Sequence, residues 1–142
     1  MKKTFMRYIF SVILSMLLVT IGYFWLHGIP LIGLPEKEDV SYVEISDTNL
    51  TDEVRTFKAG EDIERAVNMA NFLNYQLGTP KQEPPHITIT YYLKNGKKIS
   101  VSANKDTVFW GGKAYTIKGD NGTTFVKITE GLFFSDLLEA NR

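Results

Sequence analysis

The chain has 142 residues, no cysteine, two histidines, and 16 basic against 16 acidic residues. This length fits one modest globular domain. The missing cysteines exclude disulfide scaffolds, thiolate metal sites and thiol nucleophiles. The balanced charge argues against a polybasic nucleic-acid binder, so no nucleic acid is expected as a partner. The zero conceals an asymmetry: residues 1–35 hold Lys2, Lys3 and Arg7 with no acid, and the rest carries the compensating negative excess.

No charged residue occurs between Tyr8 and Pro35, and Tyr8–Leu26 is the densest apolar stretch. As a helix rising about 1.5 Å per residue, residues 8–26 span roughly the hydrocarbon core of a bilayer. The basic lip before them, with Tyr23 and Trp25 at the far end, sets the amino terminus in the cytoplasm and the remainder outside. The apolar core exceeds that of a cleaved secretory signal, and no Ala-x-Ala site follows it. An uncleaved signal-anchor in the cell membrane is therefore the favoured reading, with secretion after cleavage as the alternative. His27 at the boundary reads as incidental. The chain divides into residues 1–35, lip and anchor, and residues 36–142, an extracytoplasmic domain joined by a Pro- and Gly-bearing linker that ends in Glu36–Asp39.

Val40–Ile45 predicts a first strand, and a short extended piece falls around Val54–Phe57. Between Glu61 and Leu77 the apolar set Ile63, Ala66, Val67, Ala70, Leu73 and Leu77 recurs at helical spacing. Glu61, Asp62 and Glu64 complement the dipole in its first turn, and Gly78 with Pro80 supplies the stop. Asn68, Asn71, Asn74 and Gln76 read as its solvated face. His86 opens the next strand with no partner nearby in sequence, and is read as an edge residue.

Residues 86–93 and 97–103 alternate around Asn95-Gly96. A two-residue turn would set apolar against polar residues. A three-residue loop with left-handed Gly96 pairs Tyr91 with Ile99, Ile89 with Val101 and Ile87 with Ala103, so the bulged hairpin is expected. Thr107–Trp110 and Lys113–Lys118 flank a second hairpin turn, Gly111-Gly112. Gly119–Gly122 is read as a third turn leading to a strand over Thr124–Thr129, broken by Glu130-Gly131. A tail helix follows over Ser135–Ala140. The order is strand, helix, then about five strands in a meander. The fold class expected is a two-layer α+β domain, with one amphipathic helix packed on an antiparallel meander sheet, behind an amino-terminal transmembrane helix.

The segments Ile87-Thr-Ile-Thr-Tyr, Lys94-Asn-Gly-Lys, Val108-Phe-Trp-Gly-Gly-Lys-Ala-Tyr and Phe125-Val-Lys-Ile with Phe133-Phe134 resemble small uncharacterised extracytoplasmic domains of Gram-positive bacteria, signal- or membrane-anchored. That resemblance implies no activity and carries over no functional residue. The element order also looks like cystatin-type domains, but the Gln-x-Val-x-Gly signature of protease inhibition is absent.

The sequence holds no hydrolase elbow, phosphate loop, zinc-protease helix motif or calcium loop. No cofactor, metal or catalytic residue is assigned. Asn49-Leu-Thr51 and Asn121-Gly-Thr123 match a glycosylation acceptor pattern that matters only in a eukaryotic secretory pathway. Phe109 and Trp110 cannot both face the core of a regular strand, so one points outward beside Gly111-Gly112. Phe109, Trp110 and Tyr115 are the candidate binding residues, suited to stacking on a sugar or anchoring a protein. The function expected is a non-enzymatic, single-pass, membrane-anchored domain that binds a protein or cell-wall polymer. The alternative is a secreted or anchored inhibitor or immunity-type protein against an extracellular enzyme or toxin.

Overall fold

The computed structural model describes residues 1–140. Helix α1 (Lys2–His27) is long and apolar enough to cross a membrane by length and composition, and none of its residues is buried against protein. Its end is a built joint. Gly28 takes φ 83°, ψ 170°, a conformation that favours glycine. A Cβ there would lie 2.9 Å from Lys118 Cβ and 3.0 Å from Asn74 Cβ. Ile29 and Tyr75 exchange both backbone hydrogen bonds, at 2.7 and 2.9 Å. Leu31 is buried in the core, and the Trp110 indole N–H donates to the Ile32 carbonyl at 3.2 Å. Gly28, Ile29 and Leu31 thus tie the chain leaving α1 to the domain, while Pro30, Ile32 and Gly33 stay exposed.

Beyond a 3-10 turn at Lys37–Asp39, the chain forms an antiparallel sheet of seven strands. These are β1 (Val40–Asp47), β2 (Val54–Phe57), β3 (Tyr75–Gln76), β4 (Ile87–Leu93), β5 (Lys98–Ala103), β6 (Thr107–Trp110) and β7 (Lys113–Ile117). Their spatial order is β2-β1-β4-β5-β6-β7-β3. Helices α2 (Gly60–Met69), α3 (Asn121–Phe133) and α4 (Ser135–Ala140) complete the described domain. The apolar helix followed by an α+β domain agrees with the expectation. Its details differ in three places.

The β4–β5 hairpin has the expected register: Tyr91 pairs with Ile99, Ile89 with Val101 and Ile87 with Ala103. Gly96 sits at φ 87° and donates to the Leu93 carbonyl, closing the bulged loop. One face of this pair is consequently apolar and inward. The opposite face carries hydroxyls, with Thr88 bonded to Ser102 at 2.9 Å and Thr90 to Ser100 at 3.0 Å.

The first departure is the helix expected over 61–77. It spans Gly60–Met69, tightens into a 3-10 turn at Ala70–Phe72 and stops. Tyr91, fully buried on β4, donates its hydroxyl to the Ala66 carbonyl at 2.7 Å, taking an acceptor a longer helix would use itself. Tyr75 then pairs with Ile29 on one side and Ile117 on the other. Burial pushes the Tyr91 phenol above its usual range. The neutral ring is the form that fits, so its stabilisation is complete below a pH of about 10 and lost as pH rises further. Tyr91→Phe should cost about 1–2 kcal/mol in denaturant unfolding at neutral pH, through the orphaned carbonyl, and should flatten the alkaline loss. An unchanged midpoint would remove this contact from the explanation of where α2 ends.

The second departure is the strand expected over Thr124–Thr129, which is helical, as are Glu130 and Gly131. As a strand, Phe125 and Lys127 would share one face. As a helix, Gly122, Phe125, Thr129 and Phe133 form one buried stripe, and Lys127 points to solvent. Burial of that stripe outweighs the β-branched local preference. The third departure follows: the meander has four strands, β4 to β7, rather than five, and β3 covers its far edge. The tail helix α4 stands where expected. Arg55 on β2 holds it there, donating to the Phe133 carbonyl at 2.8 Å and to both Asp136 oxygens at 2.7 and 2.9 Å. Its guanidinium lies 4.9 Å from the Phe134 ring centre. The Arg55 hydrogen bonds keep the Asp136 carboxyl below its ordinary range.

Candidate functional site

Two features of the domain have chemistry to offer. The first lies where the ends of β1 and β4 meet α3. Val43, Ile45 and Asp47 alternate inward along β1, so strand geometry places a carboxylate at the end of a core-facing series. Asp47 is fully buried. Its Oδ1 accepts the Asn49 backbone N–H at 3.0 Å, an Asx turn that ends the strand, and also lies 3.0 Å from His86 Nδ1. Its Oδ2 is buried and accepts no hydrogen bond. Glu130, one residue beyond buried Thr129 on α3, completes the group: one donor atom each of Asp47, His86 and Glu130 lie within 4.8 Å of one another.

The electrostatics follow from this crowding. Burial first, and the adjoining Asp47 carboxylate second, push the Glu130 carboxyl above its ordinary range, while His86 acts in the opposite sense. Two carboxylates side by side favour a proton, or another cation, between them.

The second feature is the sheet surface opposite the helices. Tyr42 and Tyr92 stack there at 4.4 Å between ring centres, and Tyr92 donates to Glu44 at 3.0 Å. The Thr88–Ser102 and Thr90–Ser100 hydroxyl pairs follow across β4 and β5. Phe109 lies on this side, over a groove of about 330 Å³ formed with Ala114 and the Pro80–Pro84 segment.

The three aromatic residues singled out in sequence do not share one surface. Phe109 is the ring that turns away from the core. Trp110 and Tyr115 pack against the core on the helix side, Trp110 tied to Ile32 and Tyr115 at 4.4 Å from the Tyr75 ring. His86, read as an edge residue without a partner, has Asp47 beside it through the β1–β4 pairing, which sets Asp47 opposite Ile87. The signal available in sequence was the Val43, Ile45, Asp47 alternation. Glu130 had none so long as its segment read as the end of a strand.

Comparison of the chain with protein-family models, curated proteins and solved structures finds no match to any of them.

Proposed function

We propose that the chain is a single-pass membrane protein whose domain stands outside the cytoplasm and acts by binding a protein or a cell-envelope polymer, not by catalysis. The observation that carries this reading is the sheet face opposite the helices, where the Tyr42–Tyr92 stack and two cross-strand hydroxyl pairs lie open on β1, β4 and β5, with the Phe109 ring in the groove against Pro80–Pro84 beyond them. Flat aromatic rings beside hydroxyl donors and acceptors suit a sugar face or an extended peptide. The unburied α1, apolar from Tyr8 onward, and the basic residues of its first two turns support the anchor. The joint at Gly28–Leu31 supports a fixed domain rather than one on a loose tether, because Ile29 is hydrogen-bonded into the sheet edge.

The test is co-sedimentation of the detergent-solubilised full chain with purified envelope polysaccharide, together with photo-crosslinking in intact cells. Crosslinkers at Phe109 and Lys98, on the open face, should capture a defined partner, and one at Asn68 on α2 should not. Phe109→Ala and Tyr92→Ala should each weaken binding, since central aromatics carry about 2 kcal/mol or more at such surfaces. Unchanged binding in both variants would remove the open face from the proposal.

A further inference from the structure

We propose that Asp47, His86 and Glu130 bind a divalent transition-metal ion, of the class of zinc, between the sheet and α3. Three donors of three kinds of position converge there: a strand end, a loop and a helix, with one donor atom each inside 4.8 Å. Donors at roughly 2.1 Å from one tetrahedral ion lie about 3.4 Å apart. The widest separation, at most 4.8 Å, therefore closes by up to about 1.4 Å through side-chain rotation as the ion binds. The His86 Nδ1 to Asp47 Oδ1 separation of 3.0 Å already has the spacing of neighbouring ligands.

The second observation is independent of the cluster's composition. Asp47 is fully buried, yet no N–H, alcohol or phenol group donates to its Oδ2, which has only the Glu130 carboxyl beside it. The Asx turn accounts for Oδ1 and leaves Oδ2 unexplained. An unpaired buried carboxylate oxygen is costly, and an ion beside it removes that cost. One imidazole and two carboxylates suit zinc better than magnesium, which prefers oxygen ligands and retained water. Entry needs no unfolding, because the His86 side chain keeps 15% of its surface exposed and Glu130 is only partly buried. Three protein ligands leave a further coordination position to water or to a group brought by a partner.

The competing occupant is a proton shared by Asp47 and Glu130, and the experiment separates the two. Full-length protein in detergent micelles, stripped with chelator, is titrated with zinc and, separately, with magnesium, by calorimetry and thermal unfolding. The expected result is saturable zinc binding at one site, with a rise in Tm that chelator reverses and no comparable response to magnesium. Glu130→Gln and His86→Gln, both at partly exposed positions, should each weaken zinc binding by at least about tenfold. His27→Gln, which alters the other histidine, should leave it unchanged. No saturable zinc binding would overturn the proposal and leave the shared proton. Equal binding by wild type and both cluster variants, or loss of binding in the His27 variant, would overturn it equally.

Discussion

Gly122→Ala should be among the most damaging single-methyl changes available to this domain, and Gly131→Ala, nine residues further along the same helix, should stabilise it. A Cβ on Gly122 would stand 2.0 Å from the Lys105 carbonyl oxygen and 2.5 Å from its carbon. Both are backbone atoms, so no rotamer change relieves the clash. α3 would have to lift from the β5–β6 corner and expose the Phe125 stripe. The expected cost is about 3 kcal/mol, the upper part of the range for overpacking. For a domain of this size that lowers Tm by roughly 12–24 °C. Gly131 has nothing within 4 Å of its Cβ position and lies inside a helix, so alanine there should gain about 0.5–1 kcal/mol by restricting the unfolded chain. Thermal unfolding of the two variants reads both signs at once. If Gly131→Ala proved destabilising, the helical assignment of residues 121–133 would be in question.

Leu73→Ala and Leu77→Ala give the second large contrast. Helical periodicity puts both on one buried face. In the structure Leu73 is fully buried and Leu77 is 86% exposed, because the chain leaves the helix between them to form β3. Leu73→Ala should therefore cost about 2–5 kcal/mol, and Leu77→Ala should stay within about 0.5 kcal/mol of wild type. Urea unfolding with matched m-values is the measurement. Comparable losses at both positions would mean that the helix runs on through Leu77.

These two contrasts mark where local sequence patterns stopped being informative. The β4–β5 register was legible because a single slip would have exposed Ile87, Ile89 and Tyr91 together, so the pattern had one acceptable solution. The two-residue turn at Gly111-Gly112 was legible because both glycines must take positive φ, 58° and 78°. The end of α2 was not, since it depends on a hydroxyl from Tyr91, 25 residues away, and on edge pairing with Ile29, 46 residues before Tyr75. α3 departs from the strand expected there because Thr124, Val126, Ile128 and Thr129 favour strands only one residue at a time. The decisive spacing runs through Gly122 and Phe133, outside the window that looked β-like. The Asp47–His86–Glu130 group was hidden for the same reason, as its third member became visible only once α3 was a helix. Among the aromatics, strand alternation rightly implied that Phe109 and Trp110 diverge. It could not show that Trp110 would bond the chain leaving α1.

The proposed function requires that α1 remain attached and hold the domain on the outer side of the membrane. The chain has no cysteine, so single-cysteine variants need no background removed. Lys2→Cys lies at the start of α1, ahead of its apolar stretch, and Lys113→Cys lies exposed at the tip of the β6–β7 hairpin. Intact cells treated with a membrane-impermeant maleimide should label Lys113→Cys at once and Lys2→Cys only after permeabilisation. The labelled protein should stay with the membrane fraction and keep the same mass as the unlabelled, uncleaved chain. Labelling of Lys2→Cys in intact cells, or release of a shortened labelled chain into the medium, would contradict the account.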